Sequence, residues 1–221
     1  MRYYPVSLDI KNRKCLVVGG GAVGTRKVRK LVECGAKVTV VSPHVKEKLL
    51  ELAGSHSIVL KKRAYRATDL DGMFLVMGTT DDEALNRKIS EAAEKRNILC
   101  NIADCPQVCN FILPSIVHRG DLTISISTSG KSPALAKKLR LELEGQFGSE
   151  YAELLCLMGA IRKNLLSQKH QPEAHKRLFE QLIGRGLLNM IRDRRKDEID
   201  SLLREVLGEG FEFDLLMETG I

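Results

Sequence analysis

Short apolar runs alternate with amphipathic stretches along the first half of the chain. Five runs rich in Val, Ile and Leu lie at 15–18, 37–42, 57–60, 73–78 and 98–102. Such runs, bounded by charged residues or glycines, are typical of buried strands in a parallel sheet. Apolar residues recur at a helical period after Gly24 and across 81–96. The alternation predicts an α/β fold with a Rossmann-like parallel sheet and helices on both of its faces.

The pattern changes after Asn110. Residues 121–127 alternate between apolar and polar, which predicts a half-exposed strand, and Ser132 before Pro133 predicts the start of a helix. From Glu150 onward only helical periods occur. We therefore expect three parts. They are a Rossmann domain at 1–113, a small α+β segment at 114–147 and a helical domain at 148–221.

Gly19, Gly21 and Gly24 form a G-x-G-x-x-G motif between the first predicted strand and the first predicted helix. In this motif the first glycine makes a tight turn, and the second lets the backbone approach a pyrophosphate. The third allows close packing of helix on strand, with the phosphates at the helix N-terminus. The motif predicts a dinucleotide site that also includes Ala22 and Val23.

The second predicted strand lacks the carboxylate that usually binds a ribose 2′-hydroxyl in such sites. The chain reads Val41-Ser42-Pro43-His44 at that point. Ser42, Pro43 or the backbone there could hold the ribose, whereas Lys46 would favour a 2′-phosphate. The choice between NAD and NADP is therefore open.

Several further segments carry a family resemblance in the same order along the chain. They are Tyr4-Pro-Val-Ser-Leu, residues 15–24, Thr79-Thr-Asp-Asp with Asn86, Cys100-Asn-Ile-Ala-Asp, Phe111-Ile-Leu-Pro-Ser and residues 125–136. Over residues 2–145 the chain resembles the precorrin-2 dehydrogenase and sirohydrochlorin ferrochelatase family, which forms the N-terminal half of bifunctional sirohaem synthases. Because the sequence ends at Ile221 without a methyltransferase half, we expect the free-standing form.

The resemblance implies NAD-dependent oxidation of precorrin-2 to sirohydrochlorin in sirohaem biosynthesis and, in some members, insertion of Fe²⁺. It also implies that Asp104, in the matching N-[VI]-x-D segment, takes part in the chemistry. Ligands of open α/β sheets bind beyond the carboxyl ends of the strands, where Asp104 is expected. A carboxylate there can accept a proton or hold Fe²⁺ transiently. The alternative is a turn aspartate that caps its own backbone.

Two groups of polar residues complete the expected site. For the cofactor, Thr79, Thr80 and Asn101 join the glycine motif. A helix N-cap at Thr80 or Asp81 is an alternative or additional role. The substrate implied by the resemblance carries eight carboxylates, and a hydroxyl-rich helix start with a lysine is a candidate anion site. Its members are Ser127, Thr128, Ser129, Lys131 and Ser132, with His118 nearby; the alternative is simple helix capping.

Cys100, Cys105 and Cys109 are close in sequence, which raises the question of a metal centre. Their C-x4-C-x3-C spacing matches no standard zinc or iron–sulfur pattern. We therefore expect small buried residues instead.

The net charge of +7 arises mainly in residues 1–60, which hold 11 Lys and Arg against 4 Asp and Glu. Aromatic residues make up 5% of the chain and Trp is absent, which argues against a nucleic-acid partner. We interpret the charge as steering for small polyanions. The sequence has neither a secretory signal nor an apolar run of about 18 residues, so we expect a cytoplasmic protein without a membrane partner.

The resemblance also implies a homodimer formed through 114–147, where the predicted strand at 122–127 needs an edge partner. Two other functions stay open on the sequence. They are an NAD(P)-sensing regulatory module and an NADP-dependent reductase of another small substrate.

Overall fold

The computed structural model describes residues 3–167 and 172–219, and the chain divides into two compact units at Met1–Leu113 and Pro114–Ile221. In the described residues, every helix is too short or too polar to cross a membrane.

The first unit is built on a five-stranded sheet of order β3-β2-β1-β4-β5, in which all neighbouring strands are parallel. Its elements are β1 (Lys14–Gly20), α1 (Ala22–Glu33), β2 (Lys37–Val45), α2 (Glu47–Gly54), β3 (Ile58–Lys61), β4 (Leu75–Gly78), α3 (Glu83–Glu94) and β5 (Leu99–Ile102). The predicted Rossmann-like α/β fold is confirmed. The short helix α2 has no counterpart among the predicted elements.

Strand β1 shows why this sequence folds as a sheet covered on both sides. Successive strand residues point to opposite faces. Cys15 and Val17 belong to the core that packs α1 and α2, whereas Leu16 and Val18 belong to the core beneath α3. All four are at most 2% exposed. A continuous apolar run is therefore required here rather than an alternating one.

Two helix ends in this unit show how local sequence sets the boundaries. Gly35 follows α1 with φ +74°, as expected of a glycine that ends a helix. The N-cap of α3 is Asp82, whose carboxylate accepts a hydrogen bond from the Leu85 N–H at 2.9 Å. The expectation of a cap at Thr80 or Asp81 was therefore wrong by one or two positions.

The buried carboxylate of Asp69 accepts several hydrogen bonds from the end of β3 and the segment that follows it. Asp69 is 4% exposed and accepts two hydrogen bonds from the Arg63 guanidinium, at 2.6 and 2.8 Å. The Arg66 N–H donates at 2.9 Å and the Lys61 ammonium at 3.3 Å. These donors, Arg63 foremost, hold the pKa of Asp69 well below its ordinary value.

The second unit combines a hairpin with helices. Its elements are β6 (Ser115–Arg119), β7 (Leu122–Ile126), α4 (Pro133–Gln146), α5 (Glu150–Ser167), α6 (Pro172–Gly184), α7 (Leu187–Arg192), α8 (Lys196–Leu207) and α9 (Phe213–Thr219). β6 and β7 pair antiparallel. Strand β6 was not anticipated, and it supplies one edge partner for β7. Ser132 caps α4 as predicted, accepting from the Leu135 N–H at 3.2 Å.

Candidate active site

The glycine loop between β1 and α1 contains two glycines that the protein itself requires. Gly19 has φ +115°, and a Cβ atom there would lie 2.6 Å from the Thr79 carbonyl oxygen. A Cβ on Gly24 would lie 2.3 Å from the Gly19 carbonyl oxygen. Both contacts are far inside van der Waals distance, so any side chain would force the loop, α1 and β4 apart.

Gly21 differs from Gly19 and Gly24, because nothing in the protein itself requires a glycine at this position. Its φ of −74° suits any residue, and a Cβ there would meet nothing within 4 Å. Neither backbone conformation nor packing therefore explains a glycine at this position. The close approach of a ligand does, and the pyrophosphate of a dinucleotide approaches at this glycine of the motif.

The start of α1 is suited to an anion. Helix geometry leaves the first backbone N–H groups, including those of Ala22 and Val23, without intrahelical partners. Gly21 offers no side-chain cap and the first turn contains no acidic residue. These N–H groups therefore point their partial positive charge at the space above Gly21, where they fit a pyrophosphate.

Two clefts meet the start of α1, one from each side. The β2-side cleft has a volume of about 560 Å³ and is lined by Ala22, Thr25, Arg26, Arg29, Lys30, Glu33, Lys46, Glu47 and Lys48. The β4-side cleft has a volume of about 330 Å³ and is lined by Val23, Thr79, Thr80, Asp81, Glu83, Asn86, Arg87, Ala103, Asp104, Cys105 and Val108. A dinucleotide whose pyrophosphate lies over Gly21 would extend toward both.

Asp104 lies in the β4-side cleft, two residues beyond β5, in the left-handed conformation with φ +57°. The side chain is exposed. Within residues 3–167 and 172–219, its carboxylate accepts no hydrogen bond, so the alternative of a self-capping turn aspartate is not observed. The carboxylate is free to act on a ligand in the cleft.

Thr79 and Thr80 also line this cleft, but both hydroxyl groups donate their protons in hydrogen bonds to other residues of the protein. The Thr79 hydroxyl donates to the Val18 carbonyl at 3.0 Å, and the Thr80 hydroxyl donates to the Asn86 side-chain oxygen at 2.8 Å. The Asn86 amide donates back to the Thr80 carbonyl at 2.8 Å. The threonines therefore shape the rim of the cleft and offer only oxygen lone pairs to a ligand.

Two residues expected near the cofactor have side chains engaged elsewhere. Ser42 is 7% exposed, and its hydroxyl donates to the His44 carbonyl at 2.6 Å. The Asn101 amide donates to the Phe111 carbonyl at 3.1 Å. Neither side chain lines either cleft, whereas Pro43 is exposed at the end of β2.

Lys27 is a residue of this region that the sequence pattern did not single out. It lies one turn after Val23 on the same face of α1. Although a lysine within a basic run is expected on the solvent side, Lys27 is half-buried. Burial lowers its pKa, as does Arg26, while the nearby acidic groups of Asp104 and Cys109 raise it. The charge of Lys27 therefore interacts with Asp104 electrostatically.

The three clustered cysteines pack in the core beneath α3. Cys100 and Cys109 are buried, and burial raises the pKa of the Cys100 thiol to about 12. The Cys109 sulfur accepts a hydrogen bond from the Ile102 N–H at 3.1 Å. Among the described residues, no group of three His, Cys, Asp or Glu side chains is arranged to hold a metal ion.

The expected substrate-binding residues all lie in the second unit. Three hydroxyls there cap backbone N–H groups: Ser127 that of Ser129, Thr128 that of Ser132, and Ser132 that of Leu135, each at 3.2 Å. The capping alternative is therefore observed for these three. Lys131 and the β6 residue His118 are exposed.

Comparisons with known proteins agree with this architecture. Residues 6–115 match a family model described as "Putative NAD(P)-binding", and residues 119–146 match one described as "Sirohaem biosynthesis protein central". A siroheme synthase of Nitrosococcus oceani is 34% identical over 96% of this chain and 45% of its own length. One of Thioalkalivibrio sulfidiphilus is 35% identical over 96% of this chain and 43% of its length. The chain thus spans less than half the length of these relatives.

A solved structure titled "SirC, precorrin-2 dehydrogenase" superposes with a TM-score of 0.78 at 27% identity, covering 92% of this chain and 98% of that chain. The resemblance inferred from the motifs is therefore confirmed by sequence and by fold. The chain belongs to the precorrin-2 dehydrogenase and sirohydrochlorin ferrochelatase family of sirohaem biosynthesis.

Proposed function

We propose that this chain oxidises precorrin-2 to sirohydrochlorin with NAD⁺. The observation that carries the proposal is the position of Asp104. Its unbonded carboxylate lines the same cleft as Val23, the second residue of α1. A free carboxylate next to a dinucleotide loop suits a reaction that removes a hydride and a proton from one substrate. The names of the relatives and of the structural neighbour support the same reaction.

In this reaction the bound NAD⁺ supplies the acceptor for the hydride. Gly19, Gly21 and Gly24 give the pyrophosphate access to the N–H groups at Ala22 and Val23. We propose that Thr79 and Thr80 border the nicotinamide half of the cofactor. Ser42, Pro43 and Asn101, at the ends of β2 and β5, would contact the cofactor through their backbone or by packing. Asp104 accepts the proton that the tetrapyrrole loses.

The cations near the site fit a polycarboxylate substrate. Lys27 carries a half-buried ammonium that interacts electrostatically with Asp104, and a cation in a partly desolvated position attracts an anion more strongly than one in water. Arg87 lines the same cleft. We also propose that Lys131, His118 and the backbone around Ser127, Thr128, Ser129 and Ser132 bind carboxylates of precorrin-2 and sirohydrochlorin.

Insertion of Fe²⁺ into sirohydrochlorin is a second proposed activity. The observation that favours it is again the free Asp104 carboxylate, since an exposed oxygen ligand can hold Fe²⁺ transiently and release it to the macrocycle. Incubating the protein with sirohydrochlorin and Fe²⁺ or Co²⁺, without NAD⁺, tests this directly. Metal insertion no faster than in buffer would contradict it.

We also propose that the chain works as a cytoplasmic homodimer without nucleic-acid or membrane partners. Leu135 and Leu139 lie one turn apart on α4 and are 47% and 36% exposed, so one face of this helix carries an exposed apolar patch. A second copy would cover it. Among the described residues no cysteine forms a disulfide, which fits a reducing compartment.

The decisive experiment is anaerobic conversion of freshly prepared precorrin-2 by the purified protein with NAD⁺. We expect the absorbance spectrum of sirohydrochlorin to appear together with NADH absorbance in equal amounts. An NAD(P)-sensing module would instead bind the dinucleotide with no spectral change. A reductase of another substrate would also leave precorrin-2 unchanged, so either result would refute the proposed reaction.

A further inference from the structure

Among the clustered cysteines, Cys109 makes contacts with the backbone that packing alone does not require. The Ile102 N–H donates to the Cys109 sulfur at 3.1 Å. The one proton of the Cys109 thiol can be donated to the Cys105 carbonyl at 3.2 Å or to the Ile102 carbonyl at 3.4 Å. Cys109 is 7% exposed and Ile102 is 3% exposed, so water does not compete for these weak hydrogen bonds of sulfur. A single side chain thus contacts both the last residue of β5 and Cys105.

These two contact points are the ends of the turn that contains Asp104. Asp104 is the third residue of the turn 102–105 and has φ +57°. Glycine or asparagine is usual at a turn position with positive φ, and another residue stays there only where its surroundings hold it. Asp104 itself makes no hydrogen bond with any residue that the structure describes, and the bond from the Cys105 N–H to the Ile102 carbonyl is long at 3.4 Å. The turn therefore needs support from outside its four residues.

Cys109 is in turn held in place through both of its chain neighbours. The Ser90 hydroxyl of α3 donates to the Val108 carbonyl at 2.5 Å. The Asn110 side-chain oxygen accepts from the Cys100 N–H at 2.7 Å, and the Asn110 N–H donates to the Cys100 carbonyl at 3.2 Å. Val108 is thus bound to α3 and Asn110 to β5, independently of the Cys109 sulfur. Removing that sulfur should leave its segment in position and loosen only the turn.

We infer that Cys109 is a positioning residue for Asp104, whose turn it holds in the left-handed conformation at the edge of the β4-side cleft. The inference rests on the proposed function, in which Asp104 accepts a proton from the tetrapyrrole. Proton transfer requires the acceptor within hydrogen-bond reach, and a displacement of about 1 Å can lower a rate about 10²-fold. Cys109 is not among the described residues that line the cleft, so it acts through Asp104 and not on the ligand.

Cys109→Ala tests this role, with Cys100→Ala as the matched control. Both thiols are buried in the core beneath α3, but the Cys100 thiol bonds to Ser90 and not to the turn. Cys109→Ala should lower kcat for precorrin-2 oxidation at least about tenfold. NAD⁺ affinity should stay within about threefold, because no contact of the glycine loop is lost. Cys100→Ala should lower Tm by a similar amount and keep kcat within about twofold of the unmodified protein.

Cys109→Ser is the conservative variant. Its hydroxyl can both donate and accept a hydrogen bond, as the thiol does. We therefore expect it to recover most of the kcat that Cys109→Ala loses. Serine and alanine variants with equally low kcat would show that the polar contacts do not position Asp104 and would contradict the inference.

Amide hydrogen exchange tests the turn without any substrate. The N–H groups of Ala103 and Cys105, on either side of Asp104, donate to backbone carbonyls and not to the sulfur. Faster exchange at these two positions therefore reports loosening of the turn itself rather than the loss of a sulfur contact. We expect exchange measured by NMR to be at least about fivefold faster in Cys109→Ala and unchanged in Cys100→Ala.

The two measurements separate this inference from the proposed function. Normal kcat in Cys109→Ala would overturn the inference, as would unchanged exchange at Ala103 and Cys105. An equal loss of kcat in Cys100→Ala would assign the effect to packing and would overturn it too. Failure of the unmodified protein to oxidise precorrin-2 would refute the proposed function. Faster exchange in Cys109→Ala would then still support the role of Cys109 in holding Asp104, and unchanged exchange would refute that role as well.

Discussion

The carbonyl oxygen of Gly19 lies 2.3 Å from the position that a Cβ atom on Gly24 would occupy. The first turn of α1 therefore rests directly on the last residues of β1, and only a hydrogen atom fits between them. Gly21, between these two residues, has open space on its side-chain face. One motif thus contains two glycines needed by the fold and one, Gly21, that we propose is needed by a ligand.

Alanine substitutions separate these two requirements. Gly21→Ala should keep the thermal stability of the unmodified protein, because its backbone conformation suits alanine and its Cβ meets nothing. Its NAD⁺ affinity should fall at least about tenfold, since the methyl group occupies the path of the pyrophosphate. Gly24→Ala should lower the free energy of unfolding by about 1–3 kcal/mol through overpacking. Calorimetry and thermal melts measure both effects.

A Gly21→Ala protein that binds NAD⁺ with unchanged affinity would contradict the placement of the pyrophosphate over Gly21. Gly145→Ala serves as a control, because Gly145 lies within α4 and its Cβ also meets nothing within 4 Å. We expect that variant to match the unmodified protein in NAD⁺ affinity.

Asp104→Asn tests the proton acceptor. The amide has nearly the same shape but cannot take a proton, so kcat for precorrin-2 oxidation should fall by about 10²–10⁴. NAD⁺ affinity should stay within about tenfold of the unmodified protein, because no glycine-loop contact is lost. Steady-state kinetics with precorrin-2 and calorimetry with NAD⁺ give both values, and normal turnover would remove Asp104 from the reaction.

Lys27→Met should raise stability while lowering activity. Because burial lowers the pKa of Lys27, the folded chain binds this proton less tightly than the unfolded chain, which costs stability at neutral pH. This cost diminishes as the pH rises from the lowered pKa toward the ordinary value near 10.5. Methionine removes it, so Tm should rise at pH 7 and the gain should shrink in alkaline buffer.

In the same variant, kcat/KM for precorrin-2 should fall about tenfold through loss of one positive charge beside Asp104. Lys88→Met, at an exposed site on α3, is the matched control and should change neither property. Equal behaviour of the two variants would show that Lys27 has no particular place in the site.

Asp69→Asn tests the buried carboxylate under the 63–69 segment. Removing its charge leaves Arg63 without its ionic partner, and we expect the free energy of unfolding to fall by about 3 kcal/mol. The unmodified protein binds the Asp69 proton less tightly when folded. The stability that Asp69 contributes is therefore complete above about pH 4 and lost as the pH falls further.

Denaturant unfolding at pH 7 and pH 3 measures this contribution. The difference in stability between Asp69→Asn and the unmodified protein should be smaller at the lower pH. Asp71→Asn, at an exposed aspartate with only a 3.7 Å ion pair, should be nearly neutral at both values. A pH-independent effect of Asp69→Asn would assign its role to packing.

Leu135→Lys combined with Leu139→Lys tests the proposed dimer. Both side chains are exposed on α4, so the change should not affect folding of the chain but should charge the face that a second copy would cover. Light scattering should give a dimer for the unmodified protein and a monomer for the variant. Leu215→Lys, which alters a leucine on α9 that is 52% exposed, should stay dimeric; a monomeric unmodified protein would refute the proposal.

The sequence predicted the fold of the first unit well because its signals are local. The apolar run at 15–18 predicts a strand that is buried on both faces of the sheet. The glycines at 19, 21 and 24 predict the tight turn that joins a strand to a helix in dinucleotide-binding motifs. Each of these features acts within a few residues, so no knowledge of distant partners is needed. The family was equally accessible, since ordered motifs identify it without coordinates.

Strand β6 is an element that local sequence signals did not predict. Its five residues, Ser115–Arg119, have no clean alternation, and they form a strand because β7 lies beside them. Pairing between segments is decided by tertiary contacts rather than by the pattern of either segment alone.

The same distinction between local sequence and tertiary structure applies to the residues of the site. The sequence alone determined that Asp104 follows a strand end and that the glycine motif precedes a helix. Only the tertiary structure decided that the Ser42 and Asn101 side chains bond internally, that Lys27 is half-buried near Asp104, and that Arg26 and Lys46 border one cleft. The physical reason is that burial and charge at a site depend on side chains brought together from distant parts of the chain by the order of strands in the sheet.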